Sequence, residues 1–69
     1  MPFVNIRIVK QVIEKDPDGI KAKVQADVTA SLAEAAGIPA ENVWVTFDEI
    51  DETDWFAGGT RVKELRANS

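Results

Sequence analysis

The chain has 69 residues with neither cysteine nor histidine, and 12 acidic against 8 basic side chains leave a formal charge of −4. Disulfides and the usual zinc ligand sets are therefore excluded, and the acidic balance argues against nucleic acid, whose phosphates select a basic face. No apolar run approaches the ~20 residues of a membrane span and no signal-peptide core is present, so the expectation is one soluble, cytoplasmic domain over residues 1–69.

From the amino end, "MPFVNIRIV" places Pro2 at the head of a strand over Phe3–Val9. Val4, Ile6 and Ile8 fall on one face, and Phe3, Asn5, Arg7 and Val9 on the other. Lys10 to Lys15 reads equally as an extension of this strand or as a loop. "DPDG" at residues 16–19 marks a helix start, with Asp16 as N-cap, Pro17 in the first helical position and Asp18 at the positive end of the dipole. From Gly19 to Ala36 the period is helical: Ile20, Val24, Val28 and Leu32 recur every fourth residue, with Ala35 and Ala36 continuing the stripe. Gly37 suits a left-handed C-terminal position, and Pro39 keeps the helix from resuming. A second strand is expected over Asn42–Ile50, with Val43, Val45 and Phe47 opposite Trp44, Thr46 and Asp48. Gly58-Gly59 suits a tight turn. Residues 60–63 then read as a short strand, and the polar tail is expected to fray.

Strand, amphipathic helix, strand is a βαβ unit with parallel strands and a right-handed crossover. The expected class is thus α+β: a single β-α-β unit with a short C-terminal hairpin. One helix covers one face of such a strand pair. The other face carries Phe3, Val9 and Trp44 beside Asn5, Arg7, Thr46 and Asp48, and parallel sheets generally need both faces covered. A 69-residue chain also loses roughly 1.5 kcal/mol per ordered residue, which a small core hardly offsets. Both arguments lead to a homo-oligomer, at least a dimer, that extends the sheet.

Three short patterns carry no chemistry. "DPDG" lacks the later ligands of a calcium loop. In "DEIDETD" strand alternation points Asp48 and Glu49 to opposite faces, which suits solvation better than a metal. Gly58-Gly59 lacks the lysine and spacing of a phosphate loop. No metal or cofactor is implied, and no nucleophilic triad is available. Pro2 remains. Removal of Met1 exposes a secondary amine, and apolar surroundings (Phe3, Trp44 and Trp55 are the candidates) disfavour its charged form, leaving a general base poised near neutrality.

"MPFVNIRIV", a crossover helix, "IPAENVWVTFDEI" and "DWFAGG" together resemble the 4-oxalocrotonate tautomerase family over nearly the whole chain. The resemblance implies a β-α-β fold with a C-terminal hairpin, a four-stranded sheet in the dimer, and a trimer of dimers. It implies keto–enol proton transfer on a small unsaturated keto or dicarboxylic acid, with Pro2 as the base. Trp55 falls at the family's aromatic wall position and Val9 at an apolar position near the substrate. The family's two substrate-binding arginines are absent: "KQVIEKD" is longer than expected and holds none, and the second position reads Trp44. Lys10, Lys15, Arg7 and Arg61 are the cations available instead, with Lys10 and Arg61 taken as the substrate-binding candidates beside Val9, Trp44 and Trp55. Two rival readings stand beside the tautomerase. One is a hydratase or dehalogenase using a carboxylate such as Glu52 or Asp54 to activate water. The other is a non-catalytic oligomeric scaffold.

Overall fold

The computed structural model describes residues 2–68. Alternation sets the first strand, β1 (Phe3–Val9), within the expected bounds. Val4, Ile6 and Ile8 are half-buried, while Phe3, Asn5 and Arg7 stand exposed on the opposite face. The ambiguous stretch after it is neither strand nor plain loop. It makes a 3-10 turn over Lys10–Val12 that delivers Ile13 into the interior at 2% exposure.

Helix α1 (Pro17–Ala36) begins on the predicted signals. The Asp16 carboxylate accepts from the Gly19 N–H at 3.2 Å, satisfying one of the amides that a helix start leaves unpaired. It ends on Gly37 at φ 67°, where the Ile38 N–H reaches the Ala33 carbonyl at 3.0 Å, a closure that needs the left-handed conformation glycine adopts without penalty. Ile20, Val24, Val28 and Leu32 are half-buried as expected, but Ala35 and Ala36 are exposed and Ala33 takes their place. An every-fourth stripe creeps about 40° around a 3.6-residue helix at each step, so the contact line reaches Leu32 and Ala33 by the last turns.

Strand β2 (Trp44–Ile50) starts two residues later than expected, because Ala40–Asn42 forms a 3-10 turn behind Pro39. It pairs with β1 in parallel, Phe3 opposite Trp44 and Val9 opposite Ile50. Glu49 turns to the helix side and pairs with Lys21, whereas Asp48 lies across from Arg7 at 3.7 Å on the other side. A hairpin follows, β3 (Phe56–Ala57) and β4 (Thr60–Arg61), turned by Gly58 and Gly59 at φ 61° and 87°. The tail does not extend the strand to residue 63, nor does it fray there. Helix α2 (Val62–Ala67) forms instead. A helix this short does not persist alone; it is docked by the Val62 N–H on the Trp55 carbonyl at 2.8 Å and by Arg66 on Glu52 at 2.7 Å.

Among the described residues only Ile13 and Val43 are buried apolar side chains, and Phe3 and Trp44 stand 63% and 59% exposed on the uncovered sheet face. The helix side of the sheet is where the small core sits.

The capping geometry makes a prediction at Gly19. A Cβ there would lie 2.1 Å from an Asp16 carboxylate oxygen, so Gly19→Ala must displace the cap. Alanine gains about 1 kcal/mol in helix propensity, and losing the cap costs about the same. Gly19→Ala should therefore leave the thermal midpoint unchanged or lower it, yet raise stability by about 1 kcal/mol in an Asp16→Ala background. Chemical denaturation of the four proteins of the cycle measures this.

Candidate active site

The expected site residues separate into two groups. Pro2 is half-buried at the head of β1, its carbonyl held by the Trp44 N–H at 3.0 Å, with Phe3 paired against Trp44. Val9, Lys10, Trp55 and Arg61 belong to the opposite end. At about 3.3 Å per residue, Pro2 and Val9 are roughly 23 Å apart along the strand. The crossover returns β2 in the same direction as β1, so the segment after Ile50, which carries Trp55, emerges beside Val9 and not beside Pro2. Trp55 therefore does not seat the Pro2 nitrogen within one chain; of the three aromatic candidates, Phe3 and Trp44 lie at that end. The expected removal of Met1 concerns a residue outside the described ones.

At the Val9 end a cavity of 360 Å3 opens on the uncovered sheet face, lined by Arg7, Ile50, Asp54, Trp55 and Phe56. Its size falls among small-molecule sites. Of the two carboxylates considered for water activation, Asp54 lines this cavity, whereas Glu52 is engaged by Arg66. Arg61 is committed to the hairpin: its Nε donates to the Thr53 carbonyl at 2.9 Å and its guanidinium lies 4.8 Å over the Phe56 ring. Lys10 is exposed in its turn, and its charge acts on Asp51.

Gln11, which the sequence did not single out, ties the two turns of this end together. Its amide donates to Asp51 at 3.1 Å and accepts the Glu52 N–H at 2.9 Å. Asp51 also accepts the Thr53 N–H at 2.9 Å and the Thr53 hydroxyl at 2.8 Å. These bonds, the Thr53 amide first, then its hydroxyl and the Gln11 amide, with Lys10 adding charge, hold the Asp51 carboxyl at about 2, below its ordinary 3.8. The signal for it was the D-x-T pattern of an Asx turn in "DET".

Residues 2–65 match the family described as tautomerase enzymes. The chain is 36% identical over 66 residues to a probable tautomerase of Dickeya dadantii, an alignment covering 96% of this chain and 94% of that one. The chain belongs to the tautomerase family. The 2-hydroxymuconate tautomerase of Pseudomonas putida is 35% identical over 65 residues, 94% of this chain and 97% of that one. The fold agrees: the crystal structure of DmpI from Helicobacter pylori superposes with a TM-score of 0.82, at 22% identity, over 99% of this chain and 100% of that one.

Within this tautomerase the Asp51 clamp fixes where the turn after β1 meets the turn leading to Trp55. Because the folded carboxyl titrates below the unfolded one, its contribution is full above pH 3.8 and is lost as pH falls toward 2. Asp51→Asn should lower the thermal midpoint at neutral pH, and the gap from wild type should close as pH drops through that window. A gap that stays constant from pH 7 to pH 2 would mean that the carboxylate is not what holds the turns.

Proposed function

We propose that this chain catalyses keto–enol proton transfer on a small unsaturated keto acid, with Pro2 as the general base once Met1 has been removed. The observation that carries this is the family match, which begins on Pro2, together with the placement of that residue. An ordinary α-amino group titrates at about 7.7–8.0. Once association buries Phe3 and Trp44, their apolar cover disfavours the charged form and favours the free amine that a general base requires.

The base and the cavity lie at opposite ends of one β1, so the site we infer is shared between copies. Among the described residues both edges of the two-stranded sheet are unpaired, and a largely apolar groove lined by Val4, Asp27, Val28, Ser31, Leu32 and Ala35 lies between β1 and α1. Two β1 edges paired about a two-fold axis run antiparallel, which brings the amino end of one beside the carboxyl end of the other. Pro2 of a second copy then meets the Val9 and Trp55 end of the first. Trimers of such dimers cover Phe3 and Trp44 on the bare face and leave the cavity open, giving a hexamer. A folded, stable monomer at micromolar concentration in sedimentation would remove the shared site.

Trp44 stands where the family's dicarboxylate enzymes carry a cation. Turnover of 2-hydroxymuconate should accordingly be weak or absent, and conversion of a smaller enol such as phenylenolpyruvate measurable. Robust 2-hydroxymuconate turnover would show that another residue supplies the missing charge.

Pro2 itself is tested by its nitrogen. Pro2→Ala keeps an amine, a primary one, and should retain part of a general-base contribution of about 10²–10⁴-fold. Retained Met1 turns the amine into an amide. Activity should fall in the order free Pro2, trimmed alanine variant, Met1-blocked chain, with intact mass verifying each amino terminus. The pH–rate profile of the trimmed protein should show one ionisation that acetylation abolishes. Equal rates for blocked and trimmed chains would leave Pro2 a strand-start residue and the protein an oligomeric scaffold.

A further inference from the structure

With the family's arginines absent, the charge that receives a substrate carboxylate has to come from elsewhere, and the cavity identifies it. Of Arg7, Lys10, Lys15 and Arg61, Arg7 alone lines the space shared with Trp55 and Phe56. Arg61 is held by the Thr53 carbonyl and the Phe56 ring. Arg7 is free to serve: its partner Asp48 lies 3.7 Å away, and the two side chains are 72% and 52% exposed. Such a solvated pair contributes little and surrenders its guanidinium readily to a better acceptor, since the planar fork of arginine binds a carboxylate through two parallel hydrogen bonds.

We propose that Arg7 binds the carboxylate of the substrate, and that the cavity takes an enol or keto acid with a single carboxylate and an aromatic or apolar body. The remaining lining fixes that class. Trp55 and Phe56 offer ring faces to the body of the molecule. Asp54, the other charged lining residue, accepts a hydrogen bond from an enol hydroxyl but repels a second carboxylate. One cation and one anion in a cavity of 360 Å3 suit a monocarboxylate enol and disfavour a dicarboxylate of either geometry. This inference rests on the tautomerase reading for its turnover arm, although its binding arm does not.

The binding arm compares 3-phenylpropanoate with its neutral amide by nuclear magnetic resonance titration of the full protein. Wild type should prefer the acid by about 10- to 100-fold, the range of a charge-assisted bond. Arg7→Gln should erase the preference and Arg7→Lys should keep part of it. Asp48→Asn, which removes the ion pair but leaves the guanidinium, should keep all of it, separating anion binding from any role in folding. In the turnover arm, Arg7→Gln should raise KM for phenylenolpyruvate by about 10- to 100-fold while kcat changes by a few-fold at most. Asp54→Asn should admit a muconate-type dicarboxylate that wild type rejects. An Arg7→Gln protein that keeps its acid preference, or a wild type with no preference, overturns the proposal. A wild type that binds acid through Arg7 yet turns nothing over supports Arg7 while sinking the tautomerase reading.

Discussion

The crossover helix runs β2 parallel to β1 and then covers only one side of the pair. From that single connection follow the features that matter for function. Both strands end at the same edge of the molecule, so the turns after Val9 and Ile50 lie together while Pro2 is left at the other edge. The uncovered side keeps Phe3 and Trp44 in solvent, a poor end state for two aromatic rings. With only Ile13 and Val43 as buried apolar side chains among the described residues, the chain has little else to set against the entropy of ordering. On the shared-site proposal association serves folding and the site at once, because the surface that wants cover is the surface that bears Pro2 at one end and the cavity at the other.

The two ends are built differently. At the cavity end, Gln11 spans from the turn after β1 to Asp51 and Glu52, Arg66 fastens α2 to Glu52, and Arg61 fastens the hairpin to Thr53. Each of these is polar and partly solvated, so none contributes much alone, but together they fix the relative position of Trp55, Phe56 and Asp54. Arg61 illustrates how a cation can be used up: its guanidinium is spent on a carbonyl and a ring face, which leaves the loosely paired Arg7 as the better source of charge. The Pro2 end is held mainly by the ladder and carries no charged side chain beside the nitrogen on its own strand pair until Arg7.

What could be read from the sequence was whatever local physics decides. The alternation of Phe3–Val9, the Asp16-Pro17 start, the Gly37 stop and the Gly58-Gly59 turn all depend on neighbours within a few positions, and each is found in the structure. The opposite faces of Asp48 and Glu49 followed from the same periodicity. Helix α2 was missed because Val62–Ala67 is too short to display a period, and it is held by Glu52 and Trp55, which no window around it contains. Alternation placed Arg7 on the bare face but could not say that a cavity lies there, since Trp55 and Phe56 arrive by way of the turn at Glu52–Asp54. Within one chain Pro2 and Trp55 lie apart for the opposite reason. Of the three aromatic candidates for the Pro2 surroundings, topology set Trp55 at the far end.

The separation of charge from the amine also gives the proposed shared site an electrostatic logic. When Pro2 of one copy meets the cavity of another, apolar cover and the Arg7 guanidinium act in the same direction, each disfavouring a protonated amine and so keeping the base free at neutral pH. A bound carboxylate neutralises Arg7, and the amine then loses the like charge that held its proton affinity down. If Pro2 is the base, as proposed, substrate binding then strengthens it at the moment it has a proton to remove. A second cation would lower the affinity of the amine for protons further, and with it the driving force for abstraction. In the proposed assembly a ring at position 44 supplies desolvation without that cost, which gives tryptophan there a physical reason if the substrate is a monocarboxylate.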